Sequence, residues 1–486
     1  MIDNNNICLM SDSYKFTHHQ FYPEDTEYVY SYLESRNGAQ FNRTVFFGLQ
    51  YILKKYLEGQ VVSEDKIEIA KNIIDEHIGP GIFNEEGWYH ILEKCDGKLP
   101  VEIKAVKEGT PVEVSNVLLT VVNTDRKCFW LTNYLESLLL QVWYPSTVAT
   151  LTRESKKLLN FYLDVTGSDK SNLDFMLHDF GFRGASSYES SQLAGVAHLI
   201  NFSGTDTVPA LLMPLNYYNH DLNNKNYNDF KDKILGNLAN ITGYSVQATE
   251  HSVMTSLGED LENNTIKTIL ANAKNGVLSI VIDSYNYQEF INKIGKILRN
   301  EVDTFLNKAD GNKIVLRPDS GDPVTTTLDC LNLIDSYFSS SFNEKGYKEL
   351  PPEIGVLWGD GIDYKQMRDI LFAMKNNKWA ASNIVFGMGG GIHSSVNRDT
   401  QRKAFKSSAQ YRSGKWYDIY KKPLDVTKTS KKGKFSLIKE NGSFLTIPLN
   451  KLGDKKDYLE TVFKNGEIKR FMDFEEIRGL AKLKEN

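Results

Sequence analysis

The sequence predicts an α/β fold, an irregular (β/α) barrel with a second mixed α+β domain, and three observations lead to this prediction. First, the second half of the chain contains four short apolar runs without polar alternation, as expected of parallel strands buried on both faces. Second, the runs end in polar residues or glycines, and the tips at Asp283, Asp319, Asp360 and Gly389 are 36, 41 and 29 residues apart. Third, helical patterns fill the intervals, so each interval holds one βα unit.

The helical patterns cover residues 287–299, 323–338 and 364–374, and Asp322 and Asp363 are the predicted N-caps of the last two. Upstream, runs that end at Phe180, Asp206 and His251 extend the series, and residues 186–200 form a further predicted helix. A doubly wound open sheet is the alternative to a barrel. In both folds ligands bind at the carboxyl ends of the strands.

The 486 residues are too many for one ordinary core, so we expect two domains. The barrel is predicted over residues 146–398, residues 1–145 form the α+β domain, and residues 399–486 are expected to return to it. Residues 219–240 are rich in Asn and Lys and are predicted to be a surface insertion. In the first domain the patterns predict strands at 28–33, 103–106 and 117–122 and helices at 47–56 and 130–143.

Composition favours small-molecule chemistry. The net charge of -5 is spread along the chain and gives no basic face for nucleic acid. The four cysteines are far apart and form no CxxC pair, so neither a zinc site nor a disulfide framework is predicted. The start of the chain lacks a signal-peptide pattern, and no run approaches the ~20 apolar residues of a membrane span. We therefore expect a cytoplasmic protein.

The glycine run at residues 387–391 follows a predicted buried strand. Bare backbone N–H groups there can surround a phosphate, although a tight turn is about equally consistent with glycine content alone. The cations Arg398 and Lys406 downstream favour the phosphate interpretation. The run matches neither GxxxxGK[ST] nor GxGxxG before a helix, so P-loop and Rossmann sites are not indicated.

Arg317, Asp319 and Asp360 place opposite charges at adjacent strand ends. An internal salt-bridge network is one interpretation. The functional interpretation is a site in which carboxylates accept hydrogen bonds from sugar hydroxyls while arginine binds an anionic group. A phosphorylated sugar is the predicted ligand.

His251 lies at a predicted strand end, next in order to Asp283. A single histidine in this position is more often structural than catalytic. Here a carboxylate on the next strand can fix the imidazole tautomer and leave the other nitrogen as a nucleophile or base.

Motifs along almost the whole chain resemble those of the nicotinamide phosphoribosyltransferases, a family of type II phosphoribosyltransferases. They are DSYKFTHHQFYP, FFGLQYIL, NEEGWYHILEK, LTNYLES, WYPSTVAT, HDFGFRGASS, GTDT, ATEHS, DSYN, RPDSGDP, GDGID, FGMGGG and VFKNGEIK. The resemblance implies an irregular α/β barrel with a mixed second domain, in a homodimer that shares its active sites. It also implies that nicotinamide and 5-phosphoribosyl-1-diphosphate are joined to give nicotinamide mononucleotide and diphosphate.

The resemblance also implies roles for residues around the base. Nicotinamide would stack between Phe180 and Tyr14, with Tyr14 supplied by the second subunit. Asp206 would accept a hydrogen bond from the carboxamide nitrogen, and Arg183 would line the same pocket. Ser279 is a further implied substrate-binding residue.

Further residues are implied for the sugar and its phosphates. Arg317 would bind near the base, Asp319, Gly359 and Asp360 would bind the ribose, and Gly389 and Gly390 would bind the 5-phosphate through backbone N–H groups. Other phosphate contacts would come from Arg36, Arg398, Lys406, Lys421 and Lys428.

The catalytic group implied by the resemblance is His251, which family members phosphorylate from ATP, with Asp283 and Glu250 beside it. ATP is therefore an implied co-substrate, since it supplies this phosphate. The phosphohistidine would add negative charge that holds Mg²⁺ and diphosphate in place. Asp319 is implied as a further catalytic residue. Mg²⁺ is expected to bind through the diphosphate and not through a dedicated set of protein ligands.

The sequence departs from the family pattern in several places: the loop after Arg36 is shorter than in the animal enzymes, Ala404 replaces a common serine, and Met388 and residues 393–397 differ. A nicotinate phosphoribosyltransferase is the nearest alternative, and Asp206 favours the amide because it would repel a substrate carboxylate. A barrel glycoside hydrolase could use the same carboxylates but gives the glycines no role. A non-catalytic scaffold or secreted signalling role is the third alternative.

Overall fold

A computed structural model describes residues 3–219, 242–424 and 429–483 of the chain. The predicted insertion therefore lies almost wholly outside the described residues, and Lys428 lies outside them as well.

The described part of the second half contains a sheet of seven strands, all parallel. The two edges meet where Gly204 bridges Tyr244, through hydrogen bonds from Thr205 N to Tyr244 O (2.9 Å) and from Tyr244 N to Ser203 O (2.8 Å). The sheet is thus an irregular barrel. This confirms the predicted fold class and excludes the alternative of a doubly wound open sheet. In spatial order its strands are Gly204–Thr205, Leu177–Asp179, Ile384–Met388, Ile354–Trp358, Lys313–Arg317, Val277–Val281 and Gln247–Ala248.

Helices pack around this barrel. The helix Pro323–Phe338 has the predicted bounds, because Asp322 caps it by accepting a hydrogen bond from Thr325 N (2.8 Å) and Pro323 occupies its first turn. Tyr364–Asn376 runs two residues beyond its prediction and begins with a capping box between Asp363 and Gln366. The others are Trp143–Thr166, Tyr188–Leu199, Leu212–Tyr217, His251–Met254, Glu262–Asn272, Tyr287–Asn292, Arg299–Leu306 and Gly390–His393.

Three predicted helices are interrupted. The helix predicted at 47–56 is α-helical over Leu49–Ile52 and continues as a π-helical turn at Leu53–Leu57. The prediction over 287–299 was wrong in its middle, where Lys293–Ile297 forms a π-helical turn. Gly295 there lets the Tyr337 ring contact the backbone, since a Cβ would lie 2.4 Å from a ring carbon. Residues 130–143 form Leu131–Tyr134, Glu136–Leu139 and the 3₁₀ turn Leu140–Val142, because Leu135 and Leu140 have ψ angles of -6° and -22°.

The second domain is built from both ends of the chain around an antiparallel sheet. Three of the seven strands come from the N-terminal segment and four from the C-terminal segment, which agrees with the predicted return of the tail. In spatial order they are Lys415–Asp418, Lys403–Arg412, Thr26–Ser35, Val117–Asn123, Val101–Ala105, Glu460–Lys464 and Glu467–Ile468. Its helices include His18–Phe21, Leu49–Ile52, Glu64–His77, Glu85–Lys94 and Phe474–Ala481.

Three two-stranded sheets complete the described strands: Arg43–Val45 with Pro111–Glu113, Ser341–Phe342 with Lys348–Glu349, and Phe435–Glu440 with Ser443–Pro448. A continuous apolar core extends through both domains. The C-terminal helix packs on the barrel helices, where Arg153 Nε donates to Ala481 O (2.8 Å) and Arg478 donates to Phe202 O (2.9 Å). Among the described residues no helix has the length and apolar character of a membrane span.

Candidate active site

The carboxyl ends of the parallel strands form one rim, and the residues singled out in the sequence lie on it. Gly, Asp or Pro directly follows four of the seven strands, at Asp206, Pro318, Gly359 and Gly389. Phe180, Asp206, His251, Asp283, Asp319, Asp360 and Gly389 follow the seven strands at one or two residues' distance, or three for His251.

His251 lies between two carboxylates and a hydroxyl. Its Nε2 is 3.8 Å from Asp283 Oδ1 and 3.7 Å from Asp319 Oδ2, while its Nδ1 is 3.1 Å from Ser284 Oγ. The ring remains about half exposed, whereas the Asp283 side chain is only 5% exposed. The two nitrogens therefore differ in environment, with anions on Nε2 and a neutral hydroxyl on Nδ1.

Asp283 is fixed by the next strand end. Its Oδ2 accepts hydrogen bonds from Asp319 N (3.0 Å) and Ser320 Oγ. Its Oδ1, which faces His251, is buried and has no hydrogen-bond partner among the described residues. A small rotation of the imidazole would satisfy this oxygen. Glu250 is the N-cap residue before His251, and its carboxylate accepts a hydrogen bond from Ser252.

Phe180 and Arg317 form one wall of the site. The guanidinium carbon of Arg317 is 5.8 Å from the centroid of the Phe180 ring, and its Nη2 donates to Thr249 O (2.9 Å). The ring lies directly on Gly387, where an added Cβ would be 2.1 Å from Phe180 Cε2. Gly387 is thus needed for the close approach of an aromatic ring, and not for a phosphate.

A buried pair, His393 and Asp179, connects the loop at Gly389 to the turn after Phe180. His393 Nε2 is 2.7 Å from Asp179 Oδ1, and both side chains are fully buried. The same carboxylate oxygen accepts from Gly181 N (2.8 Å), so one side chain fixes both the turn after Phe180 and the loop at Gly389. Burial opposes ionisation, but His393 and the Gly181 N–H lower the pKa of Asp179.

Two cavities meet at the rim. The outer one has a volume of about 820 Å³ and is lined by residues that include Arg183, Asp319, Gly359, Asp360, Gly389 and Gly390. The inner one, of about 390 Å³, extends into the barrel and includes Ser279, whose buried hydroxyl has no hydrogen-bond partner in the described part of the chain. Phe180, Asp206 and Arg317 line both cavities and mark the junction between them.

The charges around the outer cavity are unequal. Four carboxylates line it, on Asp206, Asp319, Asp360 and Asp363, against two guanidiniums, on Arg183 and Arg317. Carboxylates suit sugar hydroxyls and Mg²⁺, but a diphosphate requires more positive charge than these two arginines supply.

The predicted phosphate-binding cations lie elsewhere in the chain. Arg36, Arg398 and Lys406 line a third cavity of about 200 Å³ on the second domain. Burial and the neighbouring Arg36, Lys15 and Lys421 lower the pKa of Lys406, against the opposing charge of Glu136. Tyr14 is 58% exposed and lines none of the three cavities.

The structure adds residues that the motifs did not single out. Arg402 and Lys403 also line the third cavity, and burial lowers the pKa of Lys403 to about 7. Its Nζ has no hydrogen-bond partner among the described residues. The basic run from Arg398 to Lys406 was the available signal. Nothing in the sequence signalled the Asp179–His393 pair or the contact between His251 and Ser284.

Comparison with known proteins identifies the family of the chain. Residues 175–467 match the nicotinate phosphoribosyltransferase (NAPRTase) family, and residues 6–103 match the N-terminal domain of nicotinamide phosphoribosyltransferase. The chain is 40% identical over 487 residues to a nicotinamide phosphoribosyltransferase of Xanthomonas campestris, with 98% of each chain covered. It is 32% identical to one of Acinetobacter baylyi, with 96% of this chain and 95% of the relative covered.

Solved structures show the same fold at low identity. Nicotinate-nucleotide pyrophosphorylase from Pyrococcus furiosus has a TM-score of 0.59 at 15% identity, covering 99% of this chain and 96% of that one. Human nicotinic acid phosphoribosyltransferase has a TM-score of 0.55 at 14% identity, covering 97% and 93%. With the family match spanning residues 175–467 and the relatives spanning nearly the whole chain, this protein belongs to the nicotinate phosphoribosyltransferase family of phosphoribosyltransferases.

Proposed function

We propose that this enzyme joins nicotinamide to 5-phosphoribosyl-1-diphosphate, with ATP hydrolysis coupled through His251, in NAD salvage. The observation that carries the choice of base is the position of Asp206, whose carboxylate lies with Phe180 and Arg317 at the junction of the outer and inner cavities. The names of the relatives in Xanthomonas and Acinetobacter support the same choice.

A carboxylate at this junction distinguishes an amide from an acid. The carboxamide N–H of nicotinamide can donate to Asp206, whose Oδ1 already accepts from Ser245 Oγ. The carboxylate of nicotinate would meet a like charge at the same place. Ser279 offers its unpartnered hydroxyl to the carboxamide oxygen.

The transfer itself is a displacement at C1 of the ribose. The pyridine nitrogen forms the new bond to C1 while the bond from C1 to the diphosphate oxygen breaks, and diphosphate leaves with the electron pair. Asp319 and Asp360 would hold the ribose hydroxyls in the outer cavity, and Gly389 and Gly390 would hold the 5-phosphate with backbone N–H groups. Positioning and charge neutralisation supply the rate increase.

His251 would accept the γ-phosphate of ATP. A proton on Nε2 is favoured by the two carboxylates, so Nδ1 carries the lone pair that attacks phosphorus. The bond between the γ-phosphorus and the bridging oxygen breaks, ADP leaves, and water later hydrolyses the phosphohistidine. Mg²⁺, when bound, would neutralise phosphate charge, and the oxygen donors of Asp319 and Asp360 suit this ion.

The imbalance of charge favours a homodimer with shared active sites. The outer cavity is lined by four carboxylates and two guanidiniums, whereas Arg36, Arg398 and Lys406 lie around a separate cavity of the same chain. A second subunit that presented this cation-lined cavity and Tyr14 to the rim would supply both the missing positive charge and the second aromatic face. The four free cysteines fit a reducing compartment, and we place the enzyme in the cytoplasm.

The test of the proposed function is nucleotide formation from nicotinamide and from nicotinate, each with 5-phosphoribosyl-1-diphosphate, ATP and Mg²⁺. We expect a higher kcat/KM for nicotinamide than for nicotinate. Asp206→Asn should lower the ratio of these two kcat/KM values by roughly tenfold or more, because it removes the repulsion of the nicotinate carboxylate and one charge-assisted hydrogen bond to the amide. Asp363→Asn, which removes a carboxylate from the same cavity away from the junction, is the matched control. A wild-type preference for nicotinate, or equal ratios in Asp206→Asn and wild type, would overturn the assignment.

A further inference from the structure

A group of metal-ligating side chains lies in the second domain, outside all three cavities. The Nδ1 or Nε2 of His90, Cys95 Sγ and a carboxylate oxygen of Asp125 all lie within 4.8 Å of one another, and it is the one such group in the part of the chain that the structure describes. All three residues are partly buried. None of them lines the cavities of the active site.

The backbone around each ligand is fixed. His90 lies on the helix Glu85–Lys94 and Cys95 caps its carboxyl end, donating its N–H to Ile91 O (3.1 Å). Asp96 then adopts φ 53° in a tight turn. Asp125 starts the 3₁₀ turn Arg126–Cys128, where its Oδ1 accepts from Lys127 N (2.8 Å) and leaves Oδ2 facing His90 Nε2 at 3.0 Å.

The two segments that carry the ligands are packed against each other. Trp88, fully buried on the helix of His90, contacts Trp130 beyond the turn of Asp125, with ring centroids 5.0 Å apart. This packing holds the helix of His90 and the turn of Asp125 side by side. The histidine and aspartate side chains are still 16% and 29% exposed, so an ion has access from solvent.

We propose that His90, Cys95 and Asp125 bind one Zn²⁺ ion, with water in the fourth position. Thiolate, imidazole and carboxylate together are the donor set of zinc, whereas Mg²⁺ and Ca²⁺ take oxygen donors only. Bond lengths of about 2.0–2.3 Å in a tetrahedron separate ligand atoms by roughly 3.3–3.8 Å. Small side-chain rotations bring the present arrangement to that spacing.

Bound zinc would link the helix Glu85–Lys94 to the turn Arg126–Cys128. Asn133 and Glu136 follow this turn closely in the chain. Asn133 Nδ2 donates to Ser407 Oγ (2.8 Å) on the strand Lys403–Arg412, and Glu136 lines the cation-rich cavity. The site would therefore stabilise the part of the second domain that carries the predicted phosphate-binding cations. This role is independent of the identity of the base.

The test uses the full chain, stripped with a chelator and then titrated with Co²⁺ and Zn²⁺. We expect one equivalent of Co²⁺ to give the thiolate charge-transfer band and the visible bands of a tetrahedral site, Zn²⁺ to displace it, and Zn²⁺ to raise the Tm. Cys95→Ser should lose the thiolate band, and both it and His90→Gln should weaken binding at least roughly tenfold.

Asp125→Asn and Asp96→Asn form the matched pair, because each removes one negative charge near Cys95 and only the first removes a ligand. Asn also tolerates the positive φ of residue 96. We expect Asp125→Asn to weaken Zn²⁺ binding and Asp96→Asn to leave it unchanged. Absence of a thiolate band in the wild type, persistence of the band in Cys95→Ser, or equal losses in the two aspartate variants would overturn the proposal.

Discussion

Replacing Gly387 with alanine should damage binding of the base while leaving the fold intact. An alanine Cβ would lie 2.1 Å from Cε2 and 2.4 Å from Cδ2 of Phe180. Carbon atoms in ordinary contact are about 3.5 Å or more apart, so the ring must move by roughly 1.4 Å. Stacking of a base on an aromatic ring is worth about 1–3 kcal/mol. Loss of that stacking raises the KM for nicotinamide by about 5- to 150-fold.

The matched control is Gly355→Ala, on the neighbouring strand Ile354–Trp358. Its Cβ would lie 3.3 Å from the end of the flexible Lys313 side chain and 3.8 Å, an ordinary contact distance, from Asn383 O. Both variants place a methyl group on a barrel strand, but only Gly387→Ala displaces Phe180. We expect Gly355→Ala to keep the wild-type KM.

The assay is steady-state nucleotide formation with nicotinamide and 5-phosphoribosyl-1-diphosphate varied in turn, beside thermal unfolding of each variant. A folded Gly387→Ala protein with wild-type KM for nicotinamide would refute the reasoning. So would an equal rise in KM for the phosphorylated sugar, or the same effect in Gly355→Ala.

Three further predictions address the proposed phosphate acceptor His251, the glycine loop and the third cavity. His251→Ala should abolish acid-labile phosphate on the protein after incubation with γ-labelled ATP and leave slow nucleotide formation; retained labelling would contradict the assigned acceptor. His393→Leu removes the buried partner of Asp179 and should lower the free energy of unfolding by about 3 kcal/mol in denaturant titration. It should also raise the KM for the phosphorylated sugar, and an unchanged KM in the folded variant would contradict a role of the pair in holding the glycine loop. Lys403→Met should raise the free energy of unfolding, most strongly at pH 7 and below. Because the pKa of Lys403 in the folded protein, about 7, lies below its value in the unfolded chain, this increase should shrink as the pH rises from 7 to about 10. An increase that did not depend on pH would contradict the burial of an amine without a partner among the described residues.

The sequence was sufficient where structure is decided by neighbours in the chain. Asp322 and Pro323 fix the start of their helix, so its bounds could be predicted to the residue. Buried apolar runs identified the barrel strands and, because parallel strands end at one rim, placed Asp283, Asp319 and Asp360 together. The π turn at Lys293–Ile297 was missed because the Tyr337 ring that packs on Gly295 comes from another helix.

Contacts between distant segments account for the rest of what could not be predicted. The antiparallel register that pairs Ser35 with Lys403 places Arg36 beside the basic run that begins at Arg398. No local pattern specifies that register. Cys95 likewise has no CxxC partner, and its third group member, Asp125, comes from a segment thirty residues further along the chain that packs beside it through Trp88 and Trp130.

The distribution of charge between the two domains follows from this long-range pairing and bears on how the enzyme works. The rim carboxylates of Asp319 and Asp360 suit ribose hydroxyls, but the same negative charge opposes the binding of a diphosphate. Arg183 and Arg317 are the two guanidiniums among these carboxylates, so further positive charge for the diphosphate would have to come from elsewhere. In the proposed homodimer, Arg36 and Lys406 of the second domain would supply this charge, and a substrate with hydroxyls at one end and diphosphate at the other would then meet both sets of charges.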